Sequence, residues 1–185
     1  MKSVMLSIKP KYCELIASGQ KTIEVRKTKP KVETPFKAYI YCTKGKLALL
    51  RDNEDKSERY KFEHWNRAKF HEKCGKTLLN GKVICEFVCD HITTYPYEQL
   101  NDGEHIMPFG DLEKTCLDGF EIYNYLGTKD GYGWHISDLV IYDKPKELSE
   151  FTSRSSQFTF SKKGALVYKG MTRPPQSWCY VEDEI

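Results

Sequence analysis

Apolar residues in the first thirty positions change their spacing twice. Val4 to Ile8 is a short apolar run, which predicts a strand. Pro10 follows and suits the first position of a helix, where its missing N–H costs nothing. Tyr12, Leu15 and Ile16 recur at helical spacing, so one face of a short helix packs inward. Gly19 fits the position just past that helix, where a left-handed residue ends it. From Thr22 to Arg26 the pattern becomes strict alternation. Ile23 and Val25 share one strand face, Thr22, Glu24 and Arg26 share the other, and Lys21 stands at the mouth.

Beyond a loop bracketed by Pro30 and Pro35, Phe36 to Thr43 is a second strong strand. Residues 51–63 hold nine charged side chains in thirteen, which excludes a core position and reads as an exposed insertion or helix start. Tyr60, Trp65 and Ala68 would give it a weak apolar stripe. Lys82 to Thr94 alternates at length, with Val83, Cys85, Phe87, Cys89 and His91 on one face. Residues 100–114 are loop-like. Asp118 to Leu126 predicts a short helix with Phe120, Tyr123 and Leu126 facing in, stopped by Gly127. Gly131 to His135 opens a strand that runs from His135 to Asp143 and is closed by Pro145. Gly164 to Lys169 is a short strand, and Arg173 to Val181 is a kinked entry to a last one. Six or so strands with two or three short helices, not alternating, indicate an α+β domain built on a small β-barrel. One domain over residues 1–185, with a charged insertion around 51–75, suits the length.

Charge sharpens this picture. The net charge is only +3, but residues 1–50 carry eleven Lys and Arg against three Glu, so the first third is +8 and the rest −5. A basic third suits an anionic partner such as a phosphate backbone, although a solvated lysine surface looks the same by count. The seven cysteines, at 13, 42, 74, 85, 89, 116 and 179, are odd in number and lack a C-x-x-C pair. The apolar run at the N-terminus is too short for a signal segment or a membrane span, so reduced thiols in a cytoplasmic protein are expected.

Lys21, Glu24 and Arg26 are the leading candidates for chemistry. Arg offers two parallel donors to phosphate or carboxylate, Lys a point charge or, when crowded, a base. The alternative is an exposed strand with ion pairs of little worth. A metal is not expected. Cys85 and Cys89 share a strand face but lie roughly 13 Å apart by strand rise, too far for one ion. His64 and His71, seven apart on a possible helix, have no evident partner. Cys13 and Cys179 read as core thiols. No phosphate-binding glycine loop occurs, and no cofactor is expected. Trp134, His135 and the Arg173–Trp178 segment put aromatic rings beside cations, as in base stacking, or else pack a barrel end.

Gly19-Gln-Lys21-Thr-Ile-Glu24-Val-Arg26 fits the G-x-K-x-x-x-x-R signature, and with it the chain resembles the ASCH domain family, a branch of the PUA-like β-barrels. The flanking I-K-P-K-Y-x-E-L-I-x-S-G and the later Y-G-W-H-I-S-D-L-V-I-Y-D and R-P-P-Q-S-W-C-Y-V are similar to bacterial and phage members. The resemblance implies a PUA-like barrel with a cleft beside helix one that binds RNA or a nucleotide. It places Gly19, Lys21 and Arg26 at that cleft, with Lys9 adding charge and Trp134 or His135 stacking on a base. Some small members are amidohydrolases that deacetylate N4-acetylcytidine with the lysine and a nearby threonine. Here Lys21 is kept, but Glu24 stands where that threonine would be, so a hydrolytic pair would have to be Lys21 and Glu24. The family's acidic partner on a later helix has four possible matches: Glu98, Glu104, Glu113 and Glu121. A module for protein interaction, with the tyrosine-rich surface as contact, is the remaining alternative.

Overall fold

Strand pairing in this chain is mostly non-local, and it builds two faces of core around one sheet. A computed structural model describes residues 2–52, 62–66, 75–99, 105–106, 110–153, 158–160, 162–164, 166–168 and 170–182. Its first eight strands are β1 (Lys2–Ile8), β2 (Ile23–Arg26), β3 (Phe36–Cys42), β4 (Leu47–Asp52), β5 (Phe62–Asn66), β6 (Lys76–Leu78), β7 (Lys82–Cys89) and β8 (Ile92–Tyr95). The later ones are β9 (Glu98–Gln99), β10 (His105–Ile106), β11 (Gly131–His135), β12 (Ser137–Glu147), β13 (Thr152–Ser153), β14 (Phe158–Phe160), β15 (Leu166–Tyr168) and β16 (Trp178–Glu182). The helices are α1 (Pro10–Ala17), α2 (Leu112–Thr115) and α3 (Gly119–Leu126).

The main sheet has six strands in the order β12-β7-β3-β1-β16-β13. Only β1 and β3 run parallel, with Val4 opposite Ala38 and Ile8 opposite Cys42. A parallel pair needs a crossover, and α1 and β2 lie within it. Three-stranded sheets β2-β11-β8 and β5-β4-β6 complete the body, with hairpins β9-β10 and β14-β15. The architecture is the expected α+β, sheet-dominated fold with short helices. Among the described residues its barrel is open: the sheets share a core rather than closing into one hydrogen-bonded ring.

Alternation along the strands sorts that core. Val4, Leu6 and Ile8 of β1 and Ala38, Ile40 and Cys42 of β3 point to one side, where Cys13 and Ile16 of α1, Leu49 of β4 and Trp134 of β11 meet them. Met5, Tyr39 and Tyr41 point to the other, against Val83, Leu148, Phe151, Met171 and Val181. The six cysteines among the described residues are free thiols. Burial, and then Cys42, raises the Cys13 thiol well above its usual range, in keeping with a core role. Among the described residues no helix is long and apolar enough to cross a membrane.

Several local expectations change. Phe120 and Tyr123 of α3 are exposed, and Ile122 instead joins the expected Leu126 on the inward face. Asp118 caps this helix, accepting from the Glu121 N–H at 2.7 Å while Glu121 accepts from the Asp118 N–H at 3.1 Å. That reciprocal cap sets the phase, and i, i+4 residues then share the inward face. Lys82–Thr94 breaks at Asp90-His91 into β7 and β8, which join different sheets. Pro145 lies inside β12 rather than closing it, at the register shift between Ile141 and Lys146, where a strand tolerates proline. His64 lies on β5, opposite Leu49 of β4, not on a helix. Tyr60, Ala68 and His71 fall outside the described residues.

Candidate functional site

Helix α1 delivers the signature segment to its place. Pro10 starts it from an extended Lys9, and Gly19 follows it at φ +76°. The chain then folds back under its own helix, with the Lys21 N–H bonded to the Leu15 carbonyl at 2.9 Å. Next, the Thr22 N–H bonds to the Lys114 carbonyl of α2 at 3.0 Å, and β2 pairs with β11 so that Glu24 is opposite Trp134.

This path buries the charges that the alternation pattern places on an outer face. Lys21 is 1% exposed, Glu24 7% and Arg26 6%. Lys21 is therefore beneath the mouth, not at it. Its Nζ donates to the Ile23 carbonyl at 2.9 Å and the Thr115 carbonyl at 2.5 Å, and lies 3.3 Å from Glu24 Oε2. Arg26 Nη2 lies 3.0 Å from Glu24 Oε1 and donates to the Ser7 carbonyl at 2.9 Å. Its Nη1 reaches Ser177 Oγ at 3.2 Å. Two cations share one carboxylate and leave one net positive charge below the surface. Buried charges persist only when paired and hydrogen-bonded in this way.

Aromatic rings roof the network. The Tyr12 ring of α1 lies over Lys21, with Nζ 5.4 Å from its centroid, and the Tyr12 hydroxyl approaches Glu121 Oε1 at 3.5 Å. Burial first, then Glu121 and Glu24, hold the Tyr12 phenol above its usual range. Tyr125 of α3 touches Arg26 from the other side, and burial raises its phenol against the opposing pull of that cation. Exposed lysines pair with exposed or half-buried rings beside the network: Lys11 with Tyr12 at 5.3 Å, Lys27 with Tyr125 at 5.2 Å and Lys29 with Tyr132 at 5.3 Å.

Of the four carboxylates matched to the acidic partner, the structure brings Glu121 to this place, where it also lies 3.6 Å from Lys11 Nζ. Glu113 is exposed on α2, Glu98 lies on the short β9, and Glu104 falls outside the described residues. Lys9 is exposed at the start of α1. Trp134 is fully buried between Phe36, at 5.6 Å between ring centroids, and Trp178, at 5.8 Å, so it presents no face to a ligand. Its position opposite Glu24 on the inward side of β11 accounts for this. Trp178 packs there too and donates from Nε1 to Thr28 Oγ1 at 2.9 Å.

His135 is not an open stacking platform either. Its ring stacks on His91 at 3.5 Å between centroids and contacts Thr93 Oγ1 at 2.8 Å. Burial first, then His91, with a small further push from Lys114, lowers its pKa below the usual 6.5 despite the upward pull of Asp90 and Asp111. The unfolded chain takes up a proton near pH 6.5 that the native ring resists. This contribution to stability is full above that pH, falls as pH drops through it, and has gone once pH passes the lower native pKa. The thermal midpoint should fall further between about pH 7.5 and about pH 5 in wild type than in His135→Gln. Equal falls would contradict the assignment.

Tyr12, Tyr125 and Ser177 do not stand out in the sequence as site residues. Tyr12 carries an available signal, since it lies on the helix that leads into the signature. Ser177 lies within the Arg173–Trp178 segment that the sequence singles out, but nothing local ties it to Arg26, 151 residues away. Among the described residues, no three His, Cys, Asp or Glu converge as they would to hold a metal ion.

A family model for the ASCH domain matches residues 6–124. A comparison with curated proteins finds no match. Among solved structures, the ASCH protein from Zymomonas mobilis is similar at a TM-score of 0.56 and 16% identity, over 97% of this chain and 87% of that one. A mutant of the same protein matches at the same TM-score and identity, over 98% and 91%. At that identity the likeness concerns the fold alone.

Proposed function

The chain belongs to the ASCH domain family, a family associated with RNA binding, and on that premise we propose that it binds RNA or a nucleotide-like ligand in the cleft between α1 and the sheet. The observation that carries this reading is the ring of lysine–tyrosine pairs, at Lys11, Lys27 and Lys29, around the net-positive floor of Lys21, Glu24 and Arg26. Exposed lysines neutralise phosphates, and tyrosine rings beside them offer π-faces to unstacked bases. The division of labour differs from a direct grip by the signature residues. Lys21 has an acceptor for each of its three donors, so it shapes and charges the floor, while the rim lysines, with Lys9, make the phosphate contacts.

The same contacts weigh against the amidohydrolase alternative. Glu24 has both oxygens engaged by cations, and Lys21 is committed to two carbonyls. Neither is left free to attack an amide or to carry a proton away. The protein-interaction alternative has no comparable support, since the tyrosines around the cleft are turned toward cations.

Binding of a labelled single-stranded RNA, followed by anisotropy across a salt series, tests the proposal. Lys27→Gln/Lys29→Gln should weaken binding and flatten the log–log salt slope by about 1.4, roughly 0.7 for each phosphate no longer neutralised. An affinity and slope equal to wild type would overturn the cleft assignment.

A further inference from the structure

On the opposite face of the main sheet lies a cavity of about 600 Å³ lined by Tyr41, Lys44, Glu147, Leu148, Met171 and Pro174, among others. The sheet separates it from the cleft. Tyr39 and Tyr41 of β3 point to this side, whereas Ala38, Ile40 and Cys42 point to the core beneath α1. The volume falls in the range of small-molecule sites, roughly 300–1,000 Å³.

Its lining has a definite chemistry. The floor combines the ring of Tyr41, 2% exposed, with the Met171 thioether, 7% exposed, and Leu148. At those exposures only the edges of these side chains reach the surface, which favours an apolar body against the thioether and Leu148 rather than a ring stacked on Tyr41. The Tyr41 hydroxyl has no hydrogen-bond partner among the described residues and so is free to donate to a ligand acceptor. Burial, and then Cys42 and Glu147, hold this phenol above its ordinary range, which keeps the donor protonated.

The rim is charged unevenly. Glu147 is already paired with Lys82 at 3.0 Å. Lys44 makes no ion pair among the described residues. Its stem is laid along the cavity edge by Gly81, where an added Cβ would come within 2.9 Å of the Lys44 side chain. One ammonium is therefore left to meet one negative charge.

We propose that this cavity is a second ligand site, distinct from the cleft, for a small molecule with an apolar body and a single anionic group. The group is a carboxylate or a phosphate monoester, either of which Lys44 would meet, with Tyr41 donating to an oxygen or ring nitrogen of the same molecule.

Calorimetric titration of the full chain with indole-3-carboxylate and with cytidine 5′-monophosphate, beside neutral indole and cytidine, tests it. At least one anionic probe should saturate at one equivalent, and its neutral analogue should bind about tenfold more weakly. Lys44→Gln and Tyr41→Phe, both mild enough to keep the fold, should each weaken the anionic probe about fivefold, the worth of one hydrogen bond or exposed ion pair. Lys27→Gln/Lys29→Gln should leave it unchanged. The site is refuted by no saturable binding of either anion, by Lys44→Gln binding like wild type, or by weakening that follows Lys27 and Lys29. The last result would place the probe in the cleft and leave the RNA proposal standing.

Discussion

Glu24→Ala is expected to cost about 3–5 kcal/mol of folding stability, the penalty for stranding a buried charge. Glu24 is the shared counter-ion of Lys21, at 3.3 Å, and Arg26, at 3.0 Å. Its removal leaves two cations close together with little water to screen them. The remaining acceptors, the carbonyls of Ser7, Ile23 and Thr115, solvate them in part, so the lower end of the range is expected. Against a total stability of about 5–15 kcal/mol for a domain, even that is a large share. Urea denaturation followed by circular dichroism measures it as a lower midpoint at constant slope. Adding Lys21→Met should recover part of the deficit, because one stranded charge is then replaced by an apolar chain. A Glu24→Ala midpoint equal to wild type would show that the triad is solvated and not an ionic core.

Trp134→Ala is the second large effect, at about 3–5 kcal/mol, because it empties a fully buried site between Phe36 and Trp178. Trp134→Phe should behave differently. Among the described residues, Trp134 Nε1 is buried without a hydrogen-bond partner. Phenylalanine gives up packing volume but also removes that unmet donor, worth about 1–3 kcal/mol, so the two terms oppose and the net change should be small. RNA binding by Trp134→Phe should match wild type. A selective loss of binding in a stably folded Trp134→Phe protein would instead make the ring a ligand platform, and the buried packing would have to open to allow it.

Legibility in the sequence followed locality. Pro10, the helical spacing of Tyr12, Leu15 and Ile16, and Gly19 are enough to predict α1, because starts, stops and periodicity are short-range properties. Alternation placed Glu24 and Arg26 together on one strand face for the same reason. It could not say which side that face was on. A strand with both faces covered hides its charges, and beyond Ser7 and Tyr12 the cover of β2 comes from α2, α3 and the segment before β16, all more than eighty residues away. The burial of Trp134 and the stacking of His135 on His91 were not legible, because aromatic type does not report exposure. In α3 the sequence does carry the phase: Asp118 and Glu121 have the spacing of a reciprocal cap, which fixes Ile122 and Leu126 inward. Charge density dominates the sequence around 51–75, whereas β4, β5 and β6 form by pairing with one another.

The order in which the chain leaves the ribosome adds a consequence to the pairing of β1 with β16. Everything matched by the family model is synthesised before residue 125. At that point one edge of β1 has no neighbour, Arg26 has no Ser177, and the Ser7 hydroxyl has not yet met the Pro175 carbonyl it bonds at 2.6 Å. An unpaired apolar strand edge is a template for wrong partners, and contacts of such long separation form slowly. The nascent chain must hold that edge in waiting until residues 175–182 emerge. The contacts of Arg26 are complete only when β16 returns to β1.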